Sequence, residues 1–284
     1  MKTSWFSKAK TALLTIGKLY GDRNVGIYAA AAVYFLFMSL VPILMLLVSL
    51  VRYLPFSEAD VMAVFKDAVP ESVFTVINNI VSGIYRNGGA AFTVSLVLTL
   101  FSASGAMRPL MKCLDAIYGD VRRDKFPLFF LKAILYMGVL VVFMILNFAI
   151  LVFGGAILDY LNALLPGNAT VGWLLGYGMK LLRYALVMLI LTCGFLLLYC
   201  RVPAKKRRIA TQWPGAVFSA FAWVVFSWIF SIYISFSDKF GAYGYIGTIM
   251  VAMMWGYYCM MFLLFGGCIN VYYEHQKKRK ESME

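Results

Sequence analysis

Residues 240–274 read FGAYGYIGTIMVAMMWGYYCMMFLLFGGCINVYYE. Between Gly247 and Asn270 no side chain carries a charge. Such a run crosses a bilayer, which takes roughly 20 apolar residues. Gly244 and Gly247 allow a tight entry on the outer side, and Ala252 with Gly256 offers a face of small residues for close helix contact. Trp255 sits beside Gly256 in mid-run rather than at an interface. The polar tail 274–284 follows, with His275 and Lys277–Lys280. The other long runs of the chain repeat this pattern, and the expectation is that they pack against this helix.

Composition points the same way. The chain has 284 residues, of which 62% are hydrophobic and 14% charged, with a mean hydropathy of +0.81. Soluble domains sit near 45–50% apolar and about 25% charged. An apolar excess arranged in long runs means that lipid is the solvent, and only helices satisfy their own backbone within each such segment. The expected fold is all-α: a polytopic membrane bundle forming one domain over 1–284, with no Pro/Gly/Ser linker. Cys113, Cys193, Cys200, Cys259 and Cys268 show no C-x-x-C spacing and fall in or beside apolar runs, so neither a metal site nor a disulfide framework is expected. The N-terminal lysines are not followed by a cleavage pattern, so the first run reads as a retained helix.

In chain order, residues 1–24 read as an interfacial helix, with Trp5, Phe6, Ala9, Leu13, Ile16 and Tyr20 on one face and lysines between them. Six spans are expected, at 25–51, 90–111, 130–158, 181–200, 213–235 and 247–270. In the first, Pro42 removes a donor and crowds the carbonyl of Met38, which predicts a kink that Ser39 helps to satisfy. Residues 55–88 read as two short amphipathic helices on the outer side, the second with a stripe that includes Ile77 and Val81. The second span holds the small residues Ser102-Ala103-Ser104-Gly105-Ala106 and ends on Arg108 and Lys112. The third holds Asn147, an amide expected to bond a neighbouring helix. Lys180 and Arg183 precede the fourth, and read either as snorkelling toward water at the outer interface or as lying deeper on one face and lining a cavity. The fifth offers Gly215/Ser219 and Ser227/Ser231 as small-xxx-small pairs.

Charge sets an expected orientation. The formal net charge is +13, and of the 26 lysines and arginines, twenty fall in the N-terminus, the second-to-third connection with its helix ends, the loop 201–208 and the tail. Six spans put those segments on one side. Cytoplasmic segments collect Lys and Arg, so both termini are expected in the cytoplasm. The basic runs read as topology signals and contacts for anionic headgroups, each cation contributing about 1 kcal/mol near the surface. They lack the interleaved aromatics of a nucleic-acid reader, so no nucleic-acid partner is expected.

Several of these residues resemble a known family. Ala29-Ala30-Ala31-Ala32-Val33-Tyr34-Phe35 with Ser39 and Pro42, Phe101-Ser102-Ala103-Ser104, Pro214-Gly215-Ala216, Tyr243-Gly244-Tyr245-Ile246-Gly247, and Trp255 with Gly266-Gly267-Cys268-Ile269-Asn270 are similar to the YihY/virulence-factor BrkB family of bacterial inner-membrane proteins, once labelled ribonuclease BN. The resemblance covers about residues 10–275. It implies six helices with both ends inside and no settled activity. Family members commonly carry Gly-Ala-Glu-Leu-Asn at 266–270, and this chain has Cys268 in place of the glutamate.

The chemistry available is sparse. His275 is the only histidine, and Asp115, Asp120 and Asp124 lie among lysines and arginines. Asp120 and Asp124 fall four apart, a spacing that more often forms local salt bridges than a metal site. No nucleophile elbow, phosphate loop or metal cluster is present, so the chain reads as a non-enzyme without a cofactor. Lys180 and Arg183 are three apart on one helix face and suit an anionic group such as a lipid phosphate. With Arg108 and Asn147 they form the candidate substrate or lipid contacts. Pro42, Ser39, Gly105, Gly244, Gly247 and Gly256 form the candidate hinge and packing set. The expected function is transport or rearrangement of an anionic or amphipathic envelope molecule such as a lipid, with membrane lipids as partners and a homo-oligomer or partner protein as a further expectation. A non-transporting scaffold or assembly factor is the alternative reading, and a ribonuclease a remote one.

Overall fold

The computed structural model describes residues 5–40, 42, 43, 45, 57–59, 62, 71–87, 89–164, 169–235 and 244–282, some of them as backbone only. Among these the secondary structure is helical throughout, with no strand. The helices are α1 (Trp5–Asp22), α2 (Val25–Met38), α3 (Glu71–Asn87), α4 (Gly89–Tyr118), α5 (Phe126–Leu164), α6 (Ala169–Arg201), α7 (Ile209–Ser235) and α8 (Gly244–Glu281). Four segments are long and apolar enough to cross a membrane: Phe126–Met144, Tyr184–Arg201, Ile209–Ile234 and Gly247–Glu281. Of the other expected spans, 25–51 is covered by α2 to Met38 and then runs partly outside the described residues. The span expected at 90–111 lies in α4, a 30-residue helix made less apolar by Thr, Ser, Gly, Arg108 and Lys112.

The helices close a ring. Each of α4 to α8 packs against the next, α8 also packs on α2, and α2 packs on α4. α8 reaches α7, α2, α4 and α1, so the stretch quoted first is the one around which the bundle forms. The core beside it holds Met107, Leu110, Met111, Leu114 and Ile117 of α4 with Leu263, Leu264 and Cys268 of α8, each at 2% exposure or less. Outward, Leu131, Leu135, Leu146, Trp228 and Ile229 are exposed, as a lipid-facing belt requires. α1 buries Ile16 and leaves Leu13, on the same face, and Leu14 exposed. Asn24 joins α1 to α2 in the left-handed conformation (φ 52°), which asparagine tolerates better than most residues.

The closest approach in the bundle is α7 on α8. A β-carbon at Gly215 would overlap the carbonyl oxygen of Gly266 and lie 2.5 Å from Asn270 Oδ1. One at Gly266 would overlap Ser219 Oγ and lie 2.5 Å from Tyr199 Oη. The contact is fastened by polar groups. Gly215 N–H donates to Asn270 Oδ1 at 2.7 Å, Ser219 Oγ donates to the Phe262 carbonyl at 2.9 Å, and Tyr199 Oη lies 2.8 Å from Ser219 Oγ while donating to the Leu263 carbonyl. Further along, Trp255 Nε1 donates to Ser227 Oγ at 3.2 Å, and Trp255 meets Trp223 edge-on. Gly215/Ser219 and Ser227 therefore face α8, whereas Ser231 is exposed.

The hinge and packing set divides. A β-carbon at Gly105 would stand 2.9 Å from Phe35 Cδ1, so this glycine sets the distance between α4 and α2. At Gly256 it would meet Val33 at 3.4 Å, an ordinary contact with α2. Gly247 is buried, and of Gly244 only its place as the first residue of α8 is described. α2 ends at Met38, four residues before Pro42, and Leu40, Pro42 and Ile43 are helical again, so the helix is interrupted in the stretch where the proline predicts a kink. Ser39 corrects one detail: its Oγ donates at 2.6 Å to the Leu36 carbonyl, one turn back, and not to the carbonyl freed by Pro42. Asn147 corrects another. Its Nδ2 donates at 2.8 Å to the Phe143 carbonyl of its own helix, the cheapest acceptor one turn away, while its buried Oδ1 has no partner among the described residues. In the segment 55–88, Ile77 and Val81 of α3 are buried and Ser82 Oγ donates to Glu58, so the two pieces expected there touch. Asp60 lies outside the described residues.

Gly215→Ala and Gly266→Ala should each destabilise the protein at or above the upper end of the roughly 1–3 kcal/mol that overpacking costs, because backbone and fastened polar groups stand where the methyl must go. Gly17→Ala, in an exposed turn of α1 with open space around it, should be neutral or stabilising by roughly 0.5–1 kcal/mol. Thermal unfolding of the three purified variants in one detergent checks the order.

Candidate functional site

The richest polar chemistry lies where α4, α5, α6, α7 and α8 end together. α4 stops by a defined local signal. Gly119 has φ +69°, its N–H donates to the Ala116 carbonyl at 3.3 Å, and Asp120 N–H donates to the Asp115 carbonyl at 2.8 Å. That bond pair is the Schellman ending, which places a left-handed glycine just past the helix. The chain then runs without helix from 120 to 125. Asp120 and Asp124 are therefore not on one helix, which corrects the spacing reading. They serve different cations, although both do form salt bridges.

Two arginines organise this end. Arg122 grips buried Asp115 with Nε–Oδ2 at 2.5 Å and Nη2–Oδ1 at 3.0 Å, reaches Asp124 at 3.2 Å, and donates to the Val202 carbonyl at 2.6 Å. Asp115 also accepts from Ala204 N–H at 2.7 Å, and Asp124 accepts from Lys132 Nζ at 2.8 Å. Arg207 pairs with Asp120 at 2.6 Å and Glu274 at 3.2 Å, with its guanidinium 4.8 Å from the Tyr118 ring centre. Tyr118 Oη donates to Gln212 Oε1 at 2.5 Å, and Arg207 N–H donates to the Cys200 carbonyl at 3.0 Å. The 202–208 loop is thus pinned from both sides.

The electrostatics follow. The hydrogen bond from Lys132 holds the Asp124 carboxyl below the usual carboxylate range; partial burial works against this, and the charges of Lys132 and Arg122 add to it. Burial disfavours the Arg122 charge, but the hydrogen bonds and charge of Asp115 outweigh it and raise its pKa further. Around this neutralised interior, Arg201, Lys206 and Arg208 are exposed and form no ion pair among the described residues.

The residues singled out from sequence are not brought together here. Arg108 lies half-buried on α4, its Nε donating to the Ser104 carbonyl at 3.3 Å and its guanidinium 5.6 Å from the Phe101 ring centre. Asn147 lies on α5. Lys180 and Arg183 lie on α6, and their side chains fall outside the described residues. Sequence reading passed over Arg207 and Arg122 as members of basic runs. The available signal was that Asp115, Asp120 and Asp124 stand among those cations, and Gly119 marks where the chain leaves the helix to meet them.

Residues 17–284 match the family model described as Virulence factor BrkB, so the chain belongs to that family. A protein of Bacillus subtilis (strain 168) named "Putative ribonuclease-like protein YfkH" is 29% identical over 255 residues, covering 88% of this chain and 90% of the relative. No solved structure matches the chain.

Arg207→Gln should cost on the order of 3 kcal/mol, since it leaves Asp120, at 3% side-chain exposure, without its cation. Arg208→Gln, on exposed Arg208, should be near neutral. Because the folded Asp124 pKa is depressed, its contribution is present above the ordinary carboxylate value of about 3.9 and is lost as pH falls through the lowered value. The gap in unfolding temperature between wild type and Asp124→Asn should therefore persist at neutral pH and close only in strong acid.

Proposed function

We propose that this BrkB-family membrane protein moves or rearranges an anionic or amphipathic envelope molecule, with a lipid as the nearest chemical fit. The observation that carries the reading is the junction at the basic end: exposed, unpaired cations on a pinned loop border an exposed apolar helical surface. A phosphate headgroup and an acyl chain match those two surfaces. In this reading the bundle crosses the bacterial inner membrane six times, α2 and α4 completing the set, with both termini in the cytoplasm. The convergence of the basic segments at one end supports that orientation, since cations collect on the cytoplasmic side. Lys180 and Arg183, midway along α6, are the contacts proposed for an anionic group at the opposite leaflet. Membrane lipids are the partners in this reading, and a second copy or a partner protein fits it as well.

A scaffold or envelope-assembly role is the second reading, favoured by the solid packing of Met107, Leu114 and Leu264 behind the basic end. An enzymatic role is the least supported. The relative's printed name says ribonuclease-like, but Asp115, Asp120 and Asp124 are each held by arginine or lysine. Metal-assisted cleavage needs carboxylates free to hold the ion.

Two measurements test these readings. A reporter active only outside the cytoplasm, fused after Glu284, should stay silent; activity there overturns the orientation. In a lipid comparison, deletion cells should differ from wild type in the distribution of an anionic envelope lipid, and Arg183→Ala should reproduce part of the difference. Unchanged lipids in both strains would sink the transport reading and leave the scaffold.

A further inference from the structure

We infer that the groove between the last two turns of α6 and the first turn of α7 is a binding site for an anionic phospholipid of the leaflet at the basic end. The inference rests on the lipid reading above and names its docking surface.

The groove has a volume of about 750 Å³, within the 300–1,000 Å³ of ligand pockets. Its lipid-facing wall is apolar: Cys193 and Leu197, one turn apart on α6, and Ile209 on α7, all exposed. Its rim is cationic: Arg201 closes α6, and Lys206 and Arg208 lead into α7. No acid lines it. Lys206 and Arg208 also border the neighbouring groove that Glu274 and Glu281 line, Asp124 lines another, and among the described residues only the groove of α6 and α7 joins these cations to Arg201 and an apolar wall.

Charge complementarity therefore selects an anion, and the apolar wall selects one that carries acyl chains. The local fold explains why the cations are available. Arg207 turns inward to Asp120 and Glu274, so the two residues flanking it turn outward without partners. The loop carrying them is held by the bonds from Arg122 to Val202, from Ala204 to Asp115 and from Arg207 to Cys200. Cations on a held loop lose less freedom on binding than those of an exposed tail. The N-terminus of α7 adds a partial positive charge to the same rim.

The test is native mass spectrometry of the full chain, released from detergent micelles titrated with phosphatidylglycerol or phosphatidylcholine. The expected result is preferential retention of phosphatidylglycerol. Arg201→Gln/Lys206→Gln/Arg208→Gln should weaken it roughly tenfold or more, since each cation near an anionic lipid contributes about fivefold. Lys277→Gln/Arg279→Gln/Lys280→Gln removes the same charge from the tail and should change retention less than twofold. Leu197→Trp, which fills the wall and leaves every charge, should also weaken retention. Glycerol phosphate at equal concentration should not displace the lipid. Cys193 is the exposed one of the five free cysteines, so its labelling by maleimide should slow with phosphatidylglycerol and not with phosphatidylcholine. Equal losses in both triple variants, equal retention of the two lipids, displacement by glycerol phosphate or unprotected Cys193 overturns the site. Selective binding in the groove, with envelope lipids unchanged in deletion cells, upholds the site and overturns the transport reading. Altered envelope lipids with no selective binding do the reverse.

Discussion

The bundle depends on two glycines meeting. In water, α7 and α8 would be driven together by their apolar surfaces. In lipid that drive vanishes, because the acyl chains are as apolar as the helices, and close packing with interhelical hydrogen bonds has to replace it. Gly215 and Gly266 let the backbones approach until a carbonyl occupies the place of a side chain. At that distance the Gly215 N–H reaches Asn270 Oδ1, and Ser219 and Tyr199 reach the carbonyls of α8. The polar groups in this contact are worth keeping because the alternative in hydrocarbon is no partner at all. The position of α8 then fixes the rest, since α2 and α4 pack on its other faces.

The basic end is built on a different rule. There, every described acid between Asp115 and Asp124, together with Glu274, is consumed by an ion pair. The net excess is pushed outward onto residues that the fold leaves unpaired. Arg207 shows the division within one loop: it crosses to α4 and α8 while Lys206 and Arg208 face out. Neutralising the interior keeps five helix ends together without burying a lone charge. A positive surface of this kind is what the orientation and the lipid contact proposed above require.

Periodic and local features were legible in the chain. The apolar runs, the interruption before Pro42, and the packing faces with Gly105, Gly215/Ser219 and Ser227 all follow from residues close in sequence. Partners far apart were not legible. Nothing local says that Arg207 meets Asp120, 87 residues earlier, or that Asn270 caps the backbone of Gly215, 55 residues earlier. Both motifs, Pro214-Gly215-Ala216 and Gly266-Gly267-Cys268-Ile269-Asn270, were singled out from sequence. That each exists to receive the other appears only once the helices cross. Asn147 bonds within its own helix for an energetic reason: an amide in a helix has the carbonyl one turn back within reach, and no other partner stands among the described residues.

α6 joins the two ends of the argument. From Arg183 to Arg201 the helix rises about 27 Å at 1.5 Å per residue. The hydrocarbon core of a bilayer is about 30 Å thick. With Arg201 at the headgroups of one leaflet, a span close to the membrane normal brings Arg183 to the edge of the other. Lys180 lies another turn beyond. The helix continues past both residues to Ala169, so they stand midway along it, and residues 184–200 between Arg183 and Arg201 carry no charge. Inward, the core near the basic end is closed by Tyr199, Phe195 and Leu198. In the lipid reading proposed above, the molecule would therefore meet the outer face of α6 at that level and not the middle of the bundle.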